Sequence, residues 1–463
     1  MNALLLAALL AVAPQSPAES NATPATPATP DANASSVSLA EARAEGRRNT
    51  QALLSLLDVE RAEADVRSAR SPLLPQVDFS LSAGGVKNGP QRIVTPVCDP
   101  TGTTCVQQTV DVPGNSRGNY NASVGLSQII YDRARWKQLE QSGASAEATR
   151  GQAVEQADAA ELEAVNRFFN LYRSQATIQV LDATVRRSEE QLERARALFH
   201  AGRVGRGEEL SALVNLGNDR INLVQRRAQL VQDQGQLAIW LARPGSTALV
   251  AQDPGIFTVA PEPAPALDAA MREARQRRPL LRALQEQVRA AQLGEDVAAS
   301  GYFPRLVGQG SYSRGGPNAG PVFTEPRLQN AVSGQLVLQW DLFNGFATQA
   351  QEARAAATRR TAELNLAQAE RELDASVRAA IETLQTRIDA ARLASENREA
   401  AAQSLTLGEE RFKAGAGSTL EVRDAQLKLT QAELTLLGNR IDVEVARFAL
   451  MRAMGTLSPG ESK

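Results

Sequence analysis

Phe199-His200-Ala201-Gly202 and Phe412-Lys413-Ala414-Gly415 are two versions of one short segment, placed 213 positions apart in the chain. The likeness continues beyond the glycine, where Glu208 recurs at the same distance as Glu421. An internal repeat of this length predicts a symmetric architecture in which each copy supplies the same set of elements.

Each copy has the same order: an amphipathic helix, a strand, a loop, a second strand, a very long helix, a turn and a returning helix. No proline interrupts either long stretch, and apolar residues recur there at spacings of three and four, as in a coiled-coil seam. The predicted units are a first repeat at 38–242 (strands near 76–86 and 119–130, long helix 133–200), a proline-rich linker at 243–266, a second repeat at 267–455 (strands near 305–313 and 330–341, long helix 346–413) and a tail at 456–463.

The first repeat begins with a helix signal. Ser38 is followed three residues later by Glu41, a capping-box pattern that marks a helix start. Pro72 and Pro75 end the pattern, so a single helix is expected over 38–70.

The composition excludes several classes of protein. Of the 463 residues, 43% are hydrophobic but only 4% are aromatic, which favours long helices packed through small side chains over a large globular core. The formal net charge of −2 provides no basic surplus for a nucleic-acid partner. His200 is the only histidine, no nucleophile has a base partner, and no glycine-rich phosphate loop follows a strand. We therefore expect no enzyme, no cofactor and no metal site.

The N-terminal segment has the pattern of a leader. An apolar run from Ala3 to Ala13 is too short to span a bilayer and precedes small residues, which predicts a signal peptide at 1–18. A disordered apolar start is the alternative. Residues 19–36 repeat Ala, Thr and Pro, a composition typical of a low-complexity tether.

Both cysteines of the chain, Cys98 and Cys105, lie in a segment rich in Pro, Gly and Thr, which predicts a loop. If the chain is exported, an oxidising compartment would preserve a disulfide that closes this loop. Two unpaired thiols are the alternative.

Four segments alternate between apolar and polar residues with a period of two, over about ten residues each. That length suits a tilted strand that crosses a membrane, whereas a soluble pair of β-hairpins is the alternative. Four strands are too few to close a barrel, and open edges are not tolerated in lipid. If these strands face lipid, several chains must pool them.

The two turns and the two junctions between strand and long helix carry a family resemblance. Residues 199–208 and 412–425 resemble the paired helical-turn motifs of the TolC outer-membrane efflux family. Tyr131-Asp132 and Phe343-Asn344-Gly345, which precede the two long helices, are similar to that family's Phe-Asp-Gly signature. The resemblance covers about residues 38–455.

The resemblance implies a mainly α protein with membrane β structure, in which each of two repeats gives a β-hairpin plus long and short helices. It implies a homotrimer with a 12-stranded β-barrel in the outer membrane and an α-helical periplasmic tunnel. The implied partners are a periplasmic adaptor, an inner-membrane RND or ABC transporter and outer-membrane lipid. The implied function is the passage of small molecules to the exterior. Type I protein secretion is one alternative, and a soluble periplasmic coiled-coil scaffold or adaptor is another.

Glu421 and Asp424 lie three positions apart, hence on one face of the predicted returning helix. By resemblance they match the acidic rings that narrow the tunnel's periplasmic end, with Glu208 as the acid of the first repeat. Carboxylate rings select for cations; a solvated helix face is the alternative. Where the founding member of the family holds its tip with a Tyr and an Arg, this chain has Phe412 and Gly417, which implies a different latch.

The same two turns are expected to meet the adaptor. Glycine leaves backbone exposed, so that a partner helix can approach closely, and basic side chains lie beside the glycines of the first turn. The expected docking residues are Gly202, Arg203, Gly205, Arg206, Gly415 and Gly417. Ordinary turn glycines are the alternative.

Overall fold

The structure is a computed structural model that describes residues 35–457, apart from 99, 101, 103–104, 258–261, 318 and 320–329. The signal peptide expected at 1–18 lies outside the described residues, as does most of the tether expected at 19–36. The helices of the described part are α1 Leu39–Gly46, α2 Thr50–Arg70, α3 Arg133–His200, α4 Arg206–Trp240, α5 Leu267–Arg277, α6 Pro279–Ala299, α7 Ala347–Lys413 and α8 Thr419–Met454.

The strands are short at the middle of the molecule and long at one end. They are β1 Ser35–Val37, β2 Gln76–Asn88, β3 Gln91–Cys98, β4 Cys105–Val112, β5 Asn115–Tyr131, β6 Leu249–Ala251, β7 Arg305–Gly316 and β8 Asn330–Gln339. Both repeats therefore contain a hairpin followed by a long and a returning helix.

The prediction of one helix over 38–70 is wrong. The start is as expected, because the Ser38 hydroxyl accepts a hydrogen bond from the Glu41 N–H at 3.2 Å. The helix then breaks after Gly46 and restarts at Thr50, where the Asn49 side chain accepts from the Ala52 N–H at 2.9 Å. Gly46 also lies against α3 so closely that a Cβ there would be 2.2 Å from the Ala164 Cβ.

The two long helices have nearly the same length, and each has a polar side chain of the preceding junction bonded near its start. Asp132 caps α3 by accepting a hydrogen bond from the Arg135 N–H at 3.3 Å, and Asn344 bonds the Thr348 hydroxyl at 2.7 Å at the start of α7. α3 has 68 residues and α7 has 67, so each is about 100 Å long at 1.5 Å per residue.

The long strands form one antiparallel sheet with the order β2-β5-β7-β8. One face of the sheet is polar, with hydroxyl contacts from Ser80 to Ser123 at 2.7 Å and from Ser311 to Ser333 at 2.8 Å. The other face is apolar and exposed in the single chain, where its largest members on the outer strands are Val77, Phe79, Leu81, Val332, Leu336 and Leu338. Within this sheet, β2 and β8 are the unpaired edges.

The segment between β2 and β5 was expected to be a loop, and this expectation is wrong. β3 and β4 pair antiparallel from Gln91↔Val112 to Cys98↔Cys105 and form a separate two-stranded sheet. A disulfide joins Cys98 to Cys105 at the last pair.

The middle of the molecule contains a small hydrophobic core in which part of the expected linker is packed. β1 pairs parallel with β6, which lies inside the expected linker, and Val37 and Leu249 are fully buried. This core also contains Phe168 from α3 and Leu457 from the expected tail. Ser35 and Ser36 therefore belong to a strand rather than to the expected tether, and Leu457 belongs to the core rather than to the expected tail.

Candidate functional site at the helical turns

The two turns between long and returning helices have the same backbone structure. Gly202 has φ +70° and Gly415 has φ +72°, a left-handed conformation that glycine adopts without steric cost. In the first turn the Arg203 N–H donates to the Leu198 carbonyl at 2.9 Å. In the second turn the Ala416 N–H donates to the Arg411 carbonyl, also at 2.9 Å. The repeat seen in sequence thus produces two equivalent helical hairpins, α3–α4 and α7–α8, whose turns lie side by side.

Glu208 joins the two turns rather than standing free. Its carboxylate accepts a hydrogen bond from the Thr419 hydroxyl, so the start of α4 is linked to the start of α8. Both groups are partly buried. A charge-assisted bond of this kind is stronger than a neutral one, and Glu208 thereby acts as a link between the two hairpins of one chain.

Glu421 and Asp424 are exposed on one side of α8, and each has a basic neighbour. The Glu421 carboxylate lies 3.6 Å from the Arg411 guanidinium, and the Asp424 carboxylate lies 2.7 Å from the Lys428 ammonium. The Ser418 hydroxyl accepts from the Glu421 N–H at 3.2 Å and caps the helix. The acidic pair of the sequence is therefore partly compensated within the same chain.

A buried ionic contact ties the two hairpins together, and sequence reasoning missed it. The Arg423 guanidinium bonds both carboxylate oxygens of Asp219, at 2.9 and 3.0 Å, and the Ser188 hydroxyl at 3.2 Å. The Ser188 hydroxyl in turn donates to Asp219 at 2.5 Å. The side chains of Arg423 and Asp219 are only 10% and 8% exposed. This Ser188–Asp219–Arg423 network joins α3, α4 and α8.

One sequence signal could have found this network. Asp219 lies at helical spacing between the buried residues Leu216 and Leu223, so an acid stands within the apolar stripe of α4. Arg423 likewise stands between the buried Val422 and Ala425. A charge placed within a buried stripe indicates a partner of opposite sign.

A cavity of about 540 Å³ separates α4 from α8 beside this network. Asn215 and Asn218 line it from α4, Gln426 lines it from α8, and Phe412 lines it near the turns. At this level α4 is joined to α8 through the Asp219–Arg423 contact and the Thr419–Glu208 bond. α3 packs on α8 directly, with Thr184 and Thr430 in hydroxyl contact at 3.1 Å.

The expected docking residues differ in their surroundings. Arg203 and Arg206 are exposed, and neither forms an ion pair among the described residues. A Cβ at Gly202, Gly205 or Gly415 would meet nothing within 4 Å, so these glycines are open to the outside. Gly417 is different, because a Cβ there would lie 3.1 Å from the Phe412 nitrogen. Gly417 permits close packing within its own turn.

Comparison with known proteins gives the class of the chain. A family model described as "Outer membrane efflux protein" matches residues 32–242 and 270–456. Among described residues, no helix is long and apolar enough to span a membrane. No curated protein sequence is detectably similar.

Several solved structures share the fold. CusC is 17% identical with a TM-score of 0.75, covering 90% of this chain and 92% of CusC. The CmeC outer membrane channel of Campylobacter jejuni is 15% identical with a TM-score of 0.71, covering 90% and 86%. VceC of Vibrio cholerae is 13% identical with a TM-score of 0.71, covering 90% and 96%.

The family match and the shared fold define an outer-membrane channel protein with two repeats, each made of strands and helices. The chain belongs to the outer membrane efflux protein family, whose members are channels and not enzymes. The TolC resemblance and the fold class predicted from sequence are confirmed.

Proposed function

We propose that three copies of this chain form the outer-membrane exit duct of a tripartite export system, which passes small molecules to the exterior. A periplasmic adaptor and an inner-membrane transporter of the RND or ABC type deliver the solute and supply the energy. The observation that carries the proposal is the four-stranded sheet, which has two unpaired edges and one exposed apolar face.

The sheet supports assembly because four strands cannot satisfy their own edges in lipid. Lipid offers no hydrogen-bond partner to an exposed backbone group, so β2 of one copy must pair with β8 of the next. Three copies supply twelve strands, with the serine and glutamine face inside and the valine, leucine and phenylalanine face toward lipid.

The helical part supports the same assembly. α4 buries Ala212, Leu216 and Leu223 against α3, yet its other side carries an apolar stripe that is 50–66% exposed. This stripe consists of Leu210, Val214, Ile221, Val224 and Val231. A neighbouring copy that covers it would turn the hairpins into a continuous tunnel wall.

Aromatic residues support the placement of the membrane boundary. Trp340, Tyr302 and Phe303 are exposed where the sheet meets the helices, and the Trp340 indole N–H donates to the Tyr302 carbonyl at 3.1 Å. Rings of this kind favour the bilayer interface. Export by the signal peptide at 1–18 would deliver the chain to this membrane.

Replacing Leu336 with lysine should prevent stable insertion. Leu336 is 71% exposed on the apolar face of β8, and a lysine facing the bilayer midplane costs about 2–4 kcal/mol per copy. The measurement is the yield of SDS-resistant, heat-dissociable trimer in outer-membrane fractions. Gln335→Lys, on the polar face of the same strand, is the matched control and should retain the trimer. Equal yields from the two variants, or a native protein recovered as a soluble monomer, would contradict the proposal.

Reversing the charge of Arg203 should weaken binding of the adaptor. Arg203 is exposed in the first turn, beside the open Gly202 and Gly205, where an acidic partner helix would form a charge-assisted bond. Co-purification of the adaptor with Arg203→Glu should fall severalfold. Arg226→Glu, an equally exposed change farther along α4, should leave binding intact. If both variants retain the adaptor, the turns do not dock it through this charge.

A further inference from the structure

The hairpin formed by β3 and β4 is separate from the four-stranded sheet. It is a complete two-stranded sheet that the first repeat places between β2 and β5. We call residues 91–98 and 105–112 the external hairpin.

The position of the external hairpin follows from chain direction. β5 ends at Tyr131 and α3 begins two residues later, so the helices continue from one end of the sheet. β2 and β5 remain paired to Asn88↔Asn115 at the other end, and the external hairpin follows there. In the proposed membrane orientation it lies beyond the outer surface, at the mouth of the pore.

A joint separates the external hairpin from the membrane sheet. Gly89-Pro90 on one side stands opposite Pro113-Gly114 on the other. Proline cannot donate a backbone hydrogen bond, so the ladder is interrupted on both strands at one level. A Cβ at Gly114 would lie 2.7 Å from the Asn88 carbonyl oxygen, which requires glycine in this narrow joint. The external hairpin can therefore take an angle different from that of the sheet.

The two faces of the external hairpin differ in polarity. On one face, Ile93 pairs with Val110 and Val97 with Val106, and all four are 44–67% exposed. On the opposite face, Arg92 forms an ion pair with Asp111 at 2.7 Å, Thr109 pairs with Val94, and Gln107 pairs with Pro96. Among the described elements, β3 and β4 pack extensively only against each other, so this apolar face is uncovered in one copy.

The external hairpin is long enough to reach its counterparts in neighbouring copies. Eight residues at about 3.4 Å each give a length of about 27 Å. A barrel of twelve strands, spaced about 4.8 Å apart and tilted by about 40°, has a radius of about 12 Å. An external hairpin that bends inward at its joint therefore reaches the threefold axis, where it meets its two counterparts. An isolated two-stranded hairpin is only marginally stable in water, so burial of the three apolar faces against one another would stabilise all three.

We propose that the external hairpins of three copies pack together through their apolar faces above the pore mouth, and that the Cys98–Cys105 disulfide keeps each hairpin paired for this contact. The interaction surface is Ile93, Val97, Val106 and Val110, and its partner is the same surface of a second copy. The inference rests on the trimer of the proposed function. It has two consequences: a narrower outer mouth, and a trimer whose heat stability depends on oxidation of the cysteines.

The test compares two double variants that each add two acids to β4. Val106→Asp/Val110→Asp places them on the apolar face, and Gln107→Asp/Thr109→Asp places them on the opposite face. The first should lower the temperature at which the trimer dissociates in SDS by several degrees and should raise single-channel conductance in a planar bilayer. The second should leave both unchanged. Dithiothreitol should act on the native trimer as the first variant does, and should have no effect on Cys98→Ser/Cys105→Ser.

The outcomes separate this inference from the proposed function. A trimer whose conductance and heat stability respond equally to both double variants, or to neither, would overturn the packing of the external hairpins while leaving the channel intact. Stronger binding of the native protein than of Val106→Asp/Val110→Asp to lipopolysaccharide vesicles, with equal conductance, would instead assign the face to lipid and overturn the proposal. Absence of a trimer in the native protein would contradict the proposed function itself.

Discussion

Asp219→Ala should separate the two helical hairpins of each copy at their turn end and raise the single-channel conductance. The substitution leaves the Arg423 charge buried without its partner, which costs about 3–5 kcal/mol. Few other contacts hold α4 to α8 at this level, because a cavity lies between them. The polar cavity beside Arg423 then offers water to the unpaired guanidinium, and α4 is no longer held to α8 at this point. Conductance in planar bilayers and the heat-dissociation temperature of the trimer are the measurements.

Two comparisons make this result specific. Asp182→Ala removes an exposed α3–α4 ion pair, in which Arg227 lies at 3.3 Å, and exposed pairs contribute only about 0–1 kcal/mol. Asp182→Ala should therefore change little. The Asp219→Leu/Arg423→Leu double variant removes both charges and should recover most of the lost stability, since replacing a buried pair by apolar side chains is often neutral. If Asp219→Ala behaves like Asp182→Ala, the network does not hold the hairpins together.

Glu421→Gln/Asp424→Asn should raise conductance and weaken block by divalent cations. Three copies would place six carboxylates around one axis, where they hold cations in the narrow end of the tunnel. Removing these charges removes the cation site. Conductance and the concentration of Mg²⁺ that halves the current are the measurements.

Neutralising the basic residues beside these carboxylates should have the opposite effect on the block. Arg411 lies 3.6 Å from Glu421, and Lys428 lies 2.7 Å from Asp424, so Arg411→Gln/Lys428→Gln should leave the carboxylates uncompensated and strengthen the block. Opposite shifts from the two double variants would support an acidic ring. Unchanged conductance and block in both would assign Glu421 and Asp424 to a solvated helix face.

The parts of the fold that were predictable have local signals. Gly202 and Gly415 mark turns because glycine adopts positive φ without cost, and the absence of proline over 133–200 permits an unbroken helix. Such signals lie within a few residues of the structure that they determine. Each of these signals occurs once in each repeat, and this double occurrence made the order of elements recognisable.

The wrong expectations concern residues whose structure depends on distant contacts. The break after Gly46 has no proline to mark it, although Asn49 caps the second helix. Gly46 also packs closely on Ala164, more than a hundred residues away. The external hairpin contains β-branched residues in alternation, but Pro96 and the surrounding Gly and Thr residues have the composition of a loop. These residues form a strand because β3 pairs with β4, and strand propensity depends strongly on such context.

The residues of the candidate site also fall into those with a local sequence signal and those with a distant partner. The spacing of Glu421 and Asp424 follows from one helix and was readable in the sequence. The partner of Arg423 was not, because Asp219 lies 204 positions away on another helix. Three-dimensional packing alone brings these two charges together.

The bond between Asp219 and Arg423 also constrains how the duplicated halves of this gene can diverge. Asp219 belongs to the first repeat and Arg423 to the second, so neither half can lose its charge without leaving the other unpaired in the protein interior. Among related sequences, neutral residues at 219 should therefore accompany neutral residues at 423, as compensating substitutions do. The two halves share one sequence pattern, yet this contact makes each the complement of the other rather than its substitute.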